Sequence, residues 1–123
     1  MRVAGTLKDL HLLTRSREEL MRFPESVRRD IGYALFRAQQ GHKPKNAKPL
    51  KGFGGASVQE IIEDFDGDTY RAVYTVKFAN AIYVLHCFQK KSKKGKSTPK
   101  QSIELIRQRL KIATLDYQEQ YKR

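Results

Sequence analysis

VQEIIEDFDGDTYRAVYTVKFANAIYVLHCFQ, residues 58–89, decides how this chain folds. Three runs rich in β-branched and aromatic residues, Val58–Phe65, Tyr70–Phe78 and Ala81–Gln89, are separated by turn-forming residues, the pattern of consecutive antiparallel strands. Asp66-Gly67-Asp68 and Ala79-Asn80 are expected to close two tight hairpins. Alternation along the middle run puts Tyr70, Ala72, Tyr74, Val76 and Phe78 on one face, and Arg71, Val73, Thr75 and Lys77 on the other. One face is therefore apolar and the other mixed.

Working outward, the N-terminal side reads as helical. Leu7–Leu13 is a candidate short strand, and Ser16-Arg17-Glu18-Glu19 matches a capping box, with Ser16 as N-cap and a helix from Arg17. Phe23-Pro24 divides this helix from a second, because proline disfavours helical geometry in the residue before it and suits a first turn. In the second helix Val27, Ile31, Ala34, Leu35 and Ala38 form one apolar stripe, and Gly41 is the expected stop. Gly41–Gly55 then reads as an irregular loop carrying Lys43, Lys45, Lys48 and Lys51.

On the C-terminal side the last strand runs into Lys90-Lys91-Ser92-Lys93-Lys94-Gly95-Lys96, a second basic cluster. Thr98 can cap, and Pro99 can open, a final helix with Ile103, Ile106, Leu110, Ala113 and Tyr117 on its main stripe. Leu105 and Ile112 fall on nearly the opposite side, where they can meet a partner. The resulting expectation is an α+β fold with N-terminal helices and a C-terminal helix packed on one face of a small antiparallel sheet. No repeat or linker interrupts the chain, so 1–123 reads as a single domain.

The charge balance bounds the partners. Twenty-five Lys and Arg against thirteen Asp and Glu give a net charge of +12, which points to a polyanion. Nucleic acid is favoured over a membrane, since no run approaches the roughly 20 apolar residues of a spanning helix. The first residues lack the apolar core of a secretory signal, and a single cysteine, Cys87, excludes an intrachain disulfide, so a cytoplasmic location is expected. Cys87 lies in an apolar run, where a buried, inert thiol is expected.

Cleaving RNA through its 2′-hydroxyl needs a proton acceptor, a proton donor and cations for the charge building on phosphate. Arg71 is the first candidate, being the one arginine in the predicted strands, with a fork that matches phosphate oxygens. Its alternative is a solvated strand arginine or a partner of Glu60 or Asp64. Lysines of the second cluster, Lys90, Lys91, Lys93, Lys94 and Lys96, can surround a phosphate chain, and Phe88 just before them can stack a base or fill a core position. Lys48 and Lys51 are docking candidates. His86 has a titration range suited to proton transfer but shares its face with Val84 and Phe88, as a satisfied core histidine would. Glu60 can act as a base or orient Arg71. Three scattered histidines and one cysteine give no metal-ligand spacing, and no phosphate loop or dinucleotide fingerprint occurs, so neither metal nor cofactor is expected.

Four segments together, Pro49-Leu50-Lys51-Gly52, Gln59-Glu60-Ile61-Ile62-Glu63, Tyr70-Arg71-Ala72-Val73-Tyr74 and Val84-Leu85-His86-Cys87-Phe88-Gln89-Lys90-Lys91, resemble the phage-derived Gp49-like proteins, which are similar to HigB toxins of the RelE/ParE superfamily. The resemblance spans about Leu20 to Ala113. It implies a RelE-like fold, metal-independent cleavage of mRNA at the ribosome, and neutralisation by a co-encoded helix-turn-helix antitoxin. It also implies that Arg71 stabilises phosphate and that Lys90 and Lys91 belong to the active face, with Lys51 and Glu60 matching less closely. RelE-like members often place a tyrosine or histidine near the C-terminus beside the active site, whereas Tyr117 and Tyr121 come late in the predicted helix. Two rivals stand beside this reading: a nucleic-acid-binding module without catalysis, and a ParE-like toxin directed at gyrase.

Overall fold

The computed structural model describes residues 7–55, 57–90 and 98–122. Along the chain these form β1 (Asp9–Leu12), α1 (Thr14–Met21), α2 (Glu25–Gln39), β2 (Ala47–Pro49), β3 (Val58–Phe65), β4 (Asp68–Thr75), β5 (Ala81–Lys90) and α3 (Lys100–Tyr121). The strands make one sheet in the order β1-β5-β4-β3-β2, antiparallel except for β1, which runs parallel to β5.

The predicted meander is the centre of this sheet, and its first turn forms as its residues dictate. Phe65 pairs with Asp68, and the intervening Asp66 and Gly67 both take positive φ, 52° and 85°. That is the two-residue turn whose twist suits a hairpin, and Asp-Gly tolerates it. The second connection is longer than expected. β4 ends at Thr75, so Val76–Asn80 form a loop in place of a tight turn at Ala79-Asn80. Thr75 still pairs with Val58, while toward β5 its hydroxyl accepts the Tyr83 amide at 3.0 Å. Nearby, Val73 pairs with His86 but Tyr74 with Val84, so Leu85 is an extra residue in a β-bulge.

Both faces of the sheet are covered, which corrects the expectation of helices on one face. Tyr70, Ala72 and Tyr74 pack with Val27, Ile31, Ala34, Leu35 and Ala38, the whole predicted stripe of α2. Val73, on the face read as mixed, packs with Val58, Leu85, Ile106, Ala113 and Tyr117 beneath α3. That face looks mixed from composition, yet Arg71 and Thr75 are buried there with hydrogen-bond partners, and Lys77, which is exposed, lies beyond the end of β4. Ile112 stays exposed, with Leu115 beside it, and Leu105 is half-buried.

Three local readings are also revised. Helix α1 starts at Thr14 after an N-cap Leu13, without a side-chain cap, and Ser16 lies buried inside it. Glu19 forms no capping box because its carboxylate points into the interior. Thr98 does not cap α3, whose N-cap is Pro99; its hydroxyl is committed elsewhere. Finally, the loop Gly41–Gly55 contains the edge strand β2, where Pro49 is tolerated because an edge needs no second set of hydrogen bonds.

Glu19, His86 and Arg109 form a polar network between α1, β5 and α3. Glu19 Oε1 accepts from Arg109 at 2.9 Å and from the Cys87 amide at 3.0 Å, and lies 3.0 Å from His86 Nδ1. Arg109 also donates to the Leu85 carbonyl at 3.0 Å, the bulged residue. Burial alone would raise the Glu19 carboxyl, but the bonds from His86, Arg109 and the Cys87 amide outweigh it and hold the group at about 2. Cys87 is buried, as read, and burial with the Glu19 charge pushes its thiol up to about 12, against the opposing charge of Arg109. A thiol so raised is a poor nucleophile.

The far end of α3 is fastened to β1. Tyr121 donates to Asp9 at 2.6 Å and lies 2.8 Å from His11 Nε2, while the Tyr117 hydroxyl accepts the Asn80 amide at 3.2 Å. Tyr121→Phe is therefore expected to cost about 1 kcal/mol in urea unfolding.

Candidate nucleic-acid cleft

The site forms where the α3 face of the sheet meets its β2 edge. Pairing in register sets Lys48 of β2 beside Glu60 of β3, and Glu60 beside Val73 of β4. Two pairs further along, Ile62, Arg71 and Phe88 lie across three adjacent strands. Alternation then places Lys48, Glu60, Arg71, Phe88 and Lys90 on the same side.

Glu60 and Arg71 are 1% and 4% exposed and form an ion pair of 3.1 Å from Arg71 Nη1 to Glu60 Oε1. The second carboxylate oxygen accepts from Thr98 Oγ1 at 2.8 Å. So Glu60 is held by strand β4 on one side and by the approach to α3 on the other, which fixes its orientation. Arg71 Nε is buried without a hydrogen-bond partner among the described residues, so part of its fork is unused. Of the three alternatives for Arg71, partnership with Glu60 is the one formed.

A cleft of about 430 Å³ opens beside this pair, lined by Lys48, Pro49, Leu50, Lys51, Glu60, Thr98 and Ile103. Lys48 and Lys51 are exposed at its edge. The cleft therefore combines two cations, a carboxylate whose position is fixed by an arginine and a threonine, and an apolar wall. Such a set can bind a phosphate chain and can place a proton acceptor against it.

Of the residues singled out from sequence, Lys48, Lys51 and Glu60 meet in this cleft, with Arg71 directly behind Glu60. Lys90 is half-buried on the same face, opposite Thr69. Phe88 is half-buried and stacks on the His86 ring, with centroids 4.9 Å apart and planes at 19°. His86 is 7% exposed and engaged with Glu19 and Arg109, the environment of a satisfied core histidine. Lys91, Lys93, Lys94 and Lys96 lie outside the described residues. Tyr117 and Tyr121 stand at the opposite end of α3 from the cleft. Among the described residues no group of three or more His, Cys, Asp or Glu is placed to hold a metal ion, and no helix is long and apolar enough to cross a membrane.

Two participants were missed in the sequence. Thr98 stands where a helix cap is expected, and nothing in its neighbours announces a bond to a strand residue 38 positions earlier. Arg109 did carry a signal, since a charged residue falls on the apolar stripe between Ile106 and Ala113, and a buried charge needs a partner.

Comparison with known proteins agrees with this architecture. A mutant of E. coli toxin RelE in the free state superposes with a TM-score of 0.57 at 18% identity, over 86% of this chain and 97% of that one. The toxin–antitoxin complex RelBE2 from Mycobacterium tuberculosis matches with a TM-score of 0.49 at 15% identity, over 74% of this chain and all of that one. No curated protein matches significantly. At such identity the likeness to RelE establishes a common fold, three helices around a mostly antiparallel sheet. The family described as phage derived protein Gp49-like matches residues 18–111, a span that includes α2, all of β2–β5, the Glu60–Arg71 pair and most of α3. The chain thus belongs to the phage-derived Gp49-like family, and its fold is that of RelE.

Proposed function

We propose that this protein is the toxin of a type II toxin–antitoxin pair, acting in the cytoplasm as an endoribonuclease on mRNA at the ribosome and restrained by a helix-turn-helix antitoxin. The observation that carries the reading is the cleft itself, in which Lys48 and Lys51 flank a Glu60 carboxylate fixed by Arg71 and Thr98, on a RelE fold. Lys48 and Lys51 attract the phosphate chain. Glu60 takes the proton of a 2′-hydroxyl as its oxygen bonds to phosphorus, and the bond to the 5′-oxygen breaks with that oxygen taking a proton from solvent, leaving a cyclic phosphate and a 5′-hydroxyl end. Arg71 supplies positive charge beneath the site, and Lys90 extends the basic face.

Confinement to the ribosome suits this arrangement. A carboxylate without a partnered histidine gains most from an RNA already held in line for attack. Wild-type protein is expected to cut mRNA on translating ribosomes and to leave the same RNA intact when free; equal cleavage of free RNA would reject the dependence. A single 2′-deoxynucleotide at the mapped cut should abolish cleavage there, and a cut that persists would rule out attack by the 2′-hydroxyl. In cells, protein synthesis should stop before DNA supercoiling changes, the reverse order being the signature of gyrase as target.

A further inference from the structure

One aromatic–cationic pair beside the cleft has no part in the scheme above. Arg107, exposed on α3, lays its guanidinium over the ring of Phe53, 4.7 Å from the centroid. Phe53 is half-buried against the α3 core cluster, so one face of its ring rests on protein and the other carries the guanidinium. The pair adjoins the cleft on both sides. Phe53 follows Lys51 by two residues, and Arg107 lies one helical turn beyond Ile103, both of them cleft-lining residues. Next to Phe53, Gly52 takes a φ of +95°, which favours glycine, and a Cβ there would lie 3.0 Å from Arg107 Nη2, so a side chain at this position would push the guanidinium aside.

A guanidinium plane backed by an aromatic ring is a flat, cationic, partly desolvated platform, and nucleobases of single-stranded RNA stack on such planes. From this placement we infer that Arg107, seated on Phe53, is a nucleobase-stacking subsite for a nucleotide flanking the one whose phosphate lies between Lys48 and Lys51. The inference rests on the RNA reading of the cleft. It adds a contact that reads a base face and not a phosphate, so it favours single-stranded over duplex RNA, whose bases are already stacked.

Crossed substitutions separate stacking from charge. Arg107→Lys keeps the charge and loses the plane; Arg107→Tyr keeps a plane and loses the charge. Each is titrated against a short single-stranded oligoribonucleotide containing 2-aminopurine, whose fluorescence is quenched by stacking, and thermal unfolding checks that the fold persists. Wild-type protein and Arg107→Tyr should quench the probe, while Arg107→Lys should lose the quench and bind roughly tenfold more weakly. Retention by lysine with loss by tyrosine would make Arg107 a phosphate contact and overturn the inference, as would quenching unchanged in both variants or lost in both. If the wild-type chain binds no RNA, the reading of the cleft falls and the subsite with it. If RNA binds normally and only the stacking signature is absent, the subsite alone falls.

Discussion

Replacing Arg71 with alanine is expected to abolish RNA cleavage and growth arrest, and also to destabilise the protein by about 3–5 kcal/mol, because Glu60 would be left as a buried charge without its partner. The two effects must be separated, and the geometry shows how. Glu60 and Arg71 are so deeply enclosed that removing both charges together costs far less than removing one. The double variant Glu60→Gln/Arg71→Met should therefore recover most of the lost stability in urea unfolding while remaining at least about a hundredfold slower in cleavage. Glu60→Gln alone keeps one oxygen to accept from Arg71 and turns its amide toward the Thr98 hydroxyl, but it leaves Arg71 without a counter-charge and cannot take up the hydroxyl proton, so it should fold with reduced stability and fail to cut. A stable double variant that cleaves at the wild-type rate would remove both residues from the mechanism. A stable, RNA-binding Glu60→Gln variant with full activity would place the proton acceptor elsewhere.

Disrupting the Glu19–His86–Arg109 network is expected to have the largest effect on stability away from the cleft. Arg109→Met leaves the Glu19 carboxylate facing His86 and the Cys87 amide without its guanidinium partner, a loss of about 2–4 kcal/mol at neutral pH. The pH dependence follows from the Glu19 shift. Its carboxyl is held at about 2 in the folded protein against an ordinary 4.5, so the unfolded chain binds the proton more readily. The stabilisation is present in full above the ordinary value and is lost as pH falls from about 4.5 to about 2. Urea midpoints across that window should drop more steeply for wild-type protein than for Glu19→Gln, which has no carboxyl to protonate there. Parallel curves would mean that Glu19 is not coupled to folding. Because this network joins α1, β5 and α3, its loss should also loosen the seat of α3 and so the wall of the cleft.

Much of this protein is legible without a structure, for an identifiable reason. Local chemistry settles whatever depends on neighbours in sequence. Asp66-Gly67 tolerates the two positive φ values of its turn, Pro24 ends one helix and begins the next, and the α2 stripe from Val27 to Ala38 faces the core as its spacing requires. The strands β3 and β5 fall within a residue of their predicted bounds. The basic balance and the resemblance of the four segments to Gp49-like proteins also belong to the sequence, and the family match bears the latter out.

What only the tertiary structure decided are the pairings of charges distant along the chain. Glu19 looked like half of a capping box because its local partner, Ser16, stands at the right spacing. It prefers Arg109, 90 residues away, because a buried guanidinium and a bulged strand offer it more than a helix terminus does. Thr98 was read as a cap and instead fixes Glu60. Arg71, Thr75 and Lys77 make the α3 face look mixed, since period-2 alternation reports which residues share a face but not whether polar ones are paired and covered. The sequence therefore names the ingredients of the cleft, Lys48, Lys51, Glu60 and Arg71. Their convergence depends on β2 docking at the sheet edge and on α3 crossing the opposite face, two long-range packings that no local pattern encodes.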